Sequence, residues 1–123
     1  MLTDSQLLQA LRDCYDPDLP CNIVDLGLIL RTSITPDLEA PGANIPGVPT
    51  KSIVHIDLIP TNPTEAAIAH LRAQITNRLA GLETVSHTTV DLLDEPRWSP
   101  ARITAAGRRT LGLDGNPSLV QIR

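Results

Sequence analysis

Apolar positions at the start of the chain recur with helical spacing. Leu7, Leu8, Leu11, Cys14 and Tyr15 fall at i, i+1, i+4, i+7 and i+8, which lines one face of a helix over Thr3 to Tyr15. Thr3 stands as its cap, and Gln6 three residues on has the spacing of a capping box. Asp16-Pro17 stops the helix, because the residue before proline is pushed out of helical backbone. The loop DPDLPCNIVDLG follows, then a strand from Leu28 to Ile34. From Ser52 to Ile59 the period changes to two. Val54, Ile56 and Leu58 share one face, and His55 and Asp57 the other, which predicts a half-buried strand. Its expected partner is the strand before it, in an antiparallel hairpin.

Between these strands, Thr35 to Lys51 carries Pro36, Pro41, Pro46, Pro49, Gly42 and Gly47 and shows no period. A long mobile loop is expected there, disordered rather than catalytic, with Asp37 and Glu39 as its only candidate groups. A second helix is predicted from Asn62 as cap, Pro63 at the first position and Glu65 three residues after the cap. Ile68, Leu71, Ile75 and Leu79 make its buried stripe, and Gly81 ends it. A third strand over Thr88 to Leu93 places Val90 and Leu92 on one face. Ser99-Pro100 then opens a short third helix through Arg109, with Gly112 after it. The tail, 113–123, ends in SLVQIR, a candidate edge strand. The order α-β-β-α-β-α predicts an α+β two-layer sandwich, a small, mainly three-stranded sheet with helices on one face.

Composition narrows the function classes. The 123 residues fit one domain, 1–123. With no Phe, one Trp and one Tyr, the core is built from Leu, Ile, Val and Ala. Modest stability is expected, supplemented by a homodimer interface. A net charge of −4 argues against a nucleic-acid partner, which needs clustered Lys and Arg. No stretch approaches the ~20 apolar residues of a membrane span. The sequence MLTDSQLLQALRD has acids and amides where a signal peptide has a basic flank and apolar core, so a cytoplasmic location is expected.

Candidate chemistry is sparse. Cys14 lies on the apolar face of the first helix, where a free thiol is a small hydrophobe. Cys21 falls in the proline-rich loop between Asp18 and Asp25 and is expected to be exposed, with two carboxylates opposing its thiolate. His55, His70 and His87 form no metal motif. His55 and Asp57 share a strand face, but a catalytic zinc needs three protein ligands, so no metal site is assigned. Nucleophile-elbow, zinc-protease and phosphate-loop motifs are all missing, which leaves an enzyme without support. Asp16, Asp18 and Asp25 are turn-makers by default. Their functional alternative is a pocket shared with Thr61-Asn62-Pro63, where uncapped N–H groups of the second helix favour an anion or a polarised thiol.

Two segments match something specific. DPDLPCNIVDLGLI resembles the "DPE-(I/L)-P-x-N-I-V-D-L-G-L" signature of the SufT/PaaD-type family of iron–sulfur cluster assembly accessory domains. EPRWSPARITAAGRRTLG resembles that family's closing "D-P-P-W-(S/T)-P-x-x-(M/I)-S … LG" segment, and the resemblance spans nearly all of residues 3–113. It implies the iron–sulfur-cluster-assembly-like α/β fold. It also implies Asp16, Asp25, Gly27 and Thr61 as pocket positions, and Trp98 as a core or partner-binding anchor. The family's "T-x-P-x-C-P" turn carries a cysteine; here the turn reads LIPTNPTEA, placing Glu65, or in the other register Asn62, at the thiol position. Oxygen and amide donors are poor substitutes for thiolate toward clusters. Cys21 is the candidate replacement thiol. The resemblance thus implies a non-enzymatic accessory of cluster assembly or delivery with no stable cofactor, any iron or cluster being transient and shared with a partner. Assembly machinery or client apoproteins are the implied partners. The alternative is a divergent interaction module or small subunit of an oxygenase-type complex, in the PaaD manner, with no metal role.

Overall fold

The computed structural model describes residues 2–43, 45–48 and 50–112. The tail strand expected in SLVQIR lies outside them. The elements run α1 (Asp4–Leu11), β1 (Ile29–Pro36), β2 (Ser52–Leu58), α2 (Glu65–Ala80), β3 (Val85–Leu92), a 3-10 turn (Pro100–Arg102) and α3 (Ala105–Leu111). The sheet is open and mixed, in the order β1-β2-β3. β1 and β2 form the expected antiparallel hairpin, and β2 pairs with β3 in parallel. A parallel pair needs a crossover, and α2 supplies it while packing on β3. The α+β prediction holds.

α1 starts as read: Thr3 Oγ1 accepts Gln6 N–H at 3.1 Å, and Gln6 Oε1 accepts Thr3 N–H at 3.0 Å. It ends earlier than predicted, with Arg12 as C-cap, so Cys14 and Tyr15 leave the helix. Tyr15 instead bridges to Asn22, which begins the folding of the loop. Three further boundaries are corrected. α2 is capped by Thr64, not Asn62: Thr64 Oγ1 accepts Ala67 N–H at 3.3 Å, while Asn62 Oδ1 accepts Thr64 N–H at 3.1 Å in the turn before. The predicted third helix is two pieces, because Ile103 takes extended backbone (φ −67, ψ 130) and Thr104 caps a new helix. β3 begins at Val85, three residues before the predicted Thr88.

The core joins Leu7 and Leu11 of α1, Val54, Ile56 and Leu58 of β2, and Leu71, Ile75 and Leu79 of α2. Ile23, Leu26 and Leu28 of the motif loop are fully buried in the same cluster. That loop is therefore part of the core rather than a surface connection. Between β1 and β2 the described residues form successive turns, not a featureless stretch, with N–H bonds from Ala40, Ala43, Ile45 and Val48 to carbonyls three residues back. Its base is fastened by the buried Asp37, whose carboxylate accepts Ser86 Oγ–H at 2.7 Å and Glu39 N–H at 3.1 Å. Those bonds, the serine hydroxyl foremost, hold the Asp37 carboxyl below its ordinary range.

Candidate functional site

The motif loop and the segment after β3 lock together. Gly27 turns with φ 75, a backbone that L side chains rarely adopt. An added Cβ there would run into the Arg102 carbonyl and come 2.8 Å from Arg102 Cβ. At Gly107 an added Cβ would stand 2.7 Å from Asp25 O. Glycine at both places lets the backbones meet. Four hydrogen bonds fix the contact: Trp98 Nε1–H to Leu26 O at 2.6 Å, Arg102 Nε–H to Gly27 O at 2.8 Å, Thr104 N–H to Asp25 O at 2.8 Å and Thr104 Oγ1–H to Asp25 Oδ1 at 3.1 Å. The two segments that carried the resemblance are thus one structural unit, residues 98–107 forming a strap over residues 25–27.

Asp16 does a separate job. It is buried, and Oδ2 accepts the N–H groups of Asp18 and Leu19 at 2.8 and 2.9 Å. Oδ1 accepts Thr61 Oγ1–H at 2.6 Å, a charge-assisted bond that ties the loop to the turn before α2. Asp18 Oδ2 reinforces it by accepting from Asn62 Nδ2 at 3.1 Å. Asp16, Asp18, Thr61 and Asn62 therefore meet, while Asp16 also makes the turn that is its default role. Asp25 does not join them: it accepts from Asn22 Nδ2 at 2.8 Å and from the strap. Glu65 opens α2 as an exposed first-turn acid.

Above Thr61 lies an open cavity of about 430 Å³, within the range of small-ligand or side-chain pockets. Ile59, Pro63, Ile68, Leu92, Pro96 and Trp98 give it apolar walls, and Thr61, Asp94 and Arg97 supply polar groups. Of the predicted site residues, Thr61 and Trp98 line it; Asp16 sits behind Thr61, and Asp25 and Gly27 hold Trp98 from below through the strap. Ile59, Asp94 and Arg97 carry no signal in the sequence, because only the fold brings the turn after β3 beside the start of α2.

Both thiols lie away from solvent. Cys14 is fully buried as expected. Cys21 is fully buried too, which corrects the exposed thiol read from its polar neighbours. Ile23 N–H reaches back to Cys14 O at 2.9 Å and Asp16 N–H to Cys21 O at 3.3 Å, folding the loop over both side chains. Burial raises each thiol pKa above its ordinary value. At Cys21 the Asp25 charge pushes the same way. The donors left at the turn before α2 are oxygens and an amide nitrogen.

Comparison with known proteins agrees with this architecture. A family model described as iron-sulfur cluster assembly protein matches residues 4–92. A curated relative from Porphyromonas gingivalis, named Fe-S protein maturation auxiliary factor, is 24% identical over 110 residues, covering 89% of this chain and 91% of its own. A domain of unknown function (DUF59) from Bacillus anthracis superposes with a TM-score of 0.66 at 21% identity, over 89% of this chain and 91% of that one. A conserved hypothetical protein from Thermotoga maritima gives 0.60 at 23% identity, over 90% and 95%. A Mycobacterium tuberculosis protein described as associated with Fe-S complex assembly and repair gives 0.50 at 26% identity, over 91% and 86%. With most of its described residues inside the matched span, the chain belongs to the iron–sulfur cluster assembly protein family.

Proposed function

We propose that this chain is a non-enzymatic auxiliary of iron–sulfur cluster assembly or delivery, acting through protein contacts and holding no stable cluster of its own. Family membership and the maturation role named for its curated relative support the assembly context. The observation that carries the finer reading is the burial of both sulfurs. Clusters are held by cysteine thiolates. Cys14 and Cys21 are each fully enclosed, and their raised pKa values disfavour the thiolate that would bind iron. The residues of this chain therefore do not fit a resident cluster.

The cavity between the turn before α2 and Trp98 is the contact site. Its apolar walls suit an aromatic or aliphatic side chain of a partner, and Asp94 with Arg97 gives that partner a polar rim to match. Assembly machinery or client apoproteins supply that side chain, and iron or a cluster passes on the partner's own ligands. The test is capture of partners from the native host with metal analysis of the complex. Recovery of cluster-assembly or cluster-containing proteins, lost on Trp98→Ala, is expected. Recovery of oxygenase subunits alone would instead favour the subunit reading, and capture unchanged by the substitution would remove the cavity as the contact site.

A further inference from the structure

The sheet face opposite the core carries a cluster that the cavity does not use. On β2, strand alternation turns Val54, Ile56 and Leu58 inward and His55 and Asp57 outward. The parallel register sets Asp91 of β3 directly beside Asp57, and the antiparallel register sets Arg31 of β1 on its other side. Two carboxylates at paired positions of adjacent strands repel unless a cation stands between them. The group between them here is His55: its Nε2 lies 2.8 Å from Asp57 Oδ1 and 3.3 Å from Asp91 Oδ2.

We propose that His55, Asp57 and Asp91 form a binding site for a first-row divalent transition cation. One ligand atom from each lies within 4.8 Å of the others. With metal–ligand bonds of about 2.0–2.2 Å, neighbouring ligand atoms around a tetrahedral or octahedral ion stand roughly 2.9–3.5 Å apart. The two separations from Nε2, 2.8 and 3.3 Å, are of that size, and the third edge, between the carboxylates, is within 4.8 Å. Asp91, with a side chain 54% exposed, is free to swing and close the third edge, whereas Asp57 is only 14% exposed and fixed. Arg31 Nε–H donates to Asp57 Oδ2 at 3.2 Å, which orients that carboxylate and leaves Oδ1 for the ion. One imidazole and two carboxylates suit Zn²⁺, Fe²⁺, Co²⁺ or Mn²⁺. The solvent side of the cluster leaves coordination positions for water. This site is independent of the partner cavity and of both thiols.

The test is titration of the metal-stripped full chain with Co²⁺, read by its visible d–d bands, and with Zn²⁺ by calorimetry. One equivalent is expected, lost in His55→Gln and weakened about tenfold or more in Asp91→Asn, with His87→Gln and His70→Gln unchanged. Far-UV circular dichroism of each variant confirms the fold, which these solvent-facing positions do not support. Absence of saturable uptake by the unsubstituted chain, or uptake that survives His55→Gln, would overturn the proposal.

Discussion

Gly27 gives the sharpest stability test, because its cost divides into two parts that a second glycine separates. In Gly27→Ala the left-handed backbone alone costs about 1–2 kcal/mol. The new Cβ also collides with the Arg102 backbone, so the strap must lift. Lifting removes the bonds from Trp98 to Leu26 O, Arg102 to Gly27 O, Thr104 N–H to Asp25 O and Thr104 Oγ1–H to Asp25 Oδ1. At about 0.5–1.5 kcal/mol for each bond, and with the backbone part, the total loss is roughly 3–8 kcal/mol. Gly47 is the control: its φ is 84, but an added Cβ meets nothing within 4 Å among the described residues. Gly47→Ala thus carries only the backbone part. Both variants are compared with the unsubstituted chain by urea unfolding, followed by far-UV circular dichroism and by fluorescence of Trp98, the single tryptophan. Because Trp98 sits in the strap, its signal reports detachment directly. A Gly27→Ala loss within about 1 kcal/mol of the Gly47→Ala loss would refute the strap argument.

Other substitutions test other parts of the account. Thr61→Val removes the hydroxyl bonded to the buried Asp16 carboxylate and is expected to cost about 1.5–3 kcal/mol in urea unfolding, whereas Thr61→Ser retains most of it. Ser52 Oγ is buried without a hydrogen-bond partner among the described residues, so Ser52→Ala should be neutral or stabilising by up to about 1 kcal/mol; a loss above that would reveal an unrecognised bond. Asp37 titrates below its ordinary 3.8 in the folded chain. Its contribution is therefore full above pH 3.8 and is lost as pH falls through the depressed folded value, so Asp37→Asn should flatten the acid limb of the stability profile, as should Ser86→Ala. Thiol labelling of the native chain should be slow at both cysteines and rapid only after unfolding; fast native labelling of Cys21 would contradict its burial.

Much of the fold was legible because short-range signals coincided. Thr3 and Gln6 make the capping box their spacing implied, and the alternation at Val54, Ile56 and Leu58 marks the buried face of β2. Leu71, Ile75 and Leu79 are the buried stripe of α2. The error at its N-terminus came from two competent caps two residues apart: Asn62 makes a turn and Thr64 caps the helix, and sequence ranks them about equally. The failures lie where distant segments decide. Cys21 sits among polar residues yet is enclosed, because Tyr15 pairs with Asn22 and the loop folds under the core. Asp25 is expected in a pocket with Asp16, but Thr104 of the strap donates to its carboxylate instead. The third member of the His55 cluster was invisible for the same reason, since only the β2–β3 register brings Asp91 beside Asp57.

The central claim, that this chain contributes no sulfur ligand of its own, is tested most directly by anaerobic incubation with ferrous iron and sulfide. Desalting and measurement of visible absorption and acid-labile sulfide follow. The account predicts a chain free of labile sulfide and of the broad cluster absorption, whether or not ferrous ion remains on His55, Asp57 and Asp91. A brown protein that keeps its sulfide through desalting, and loses it in Cys21→Ser, would contradict it.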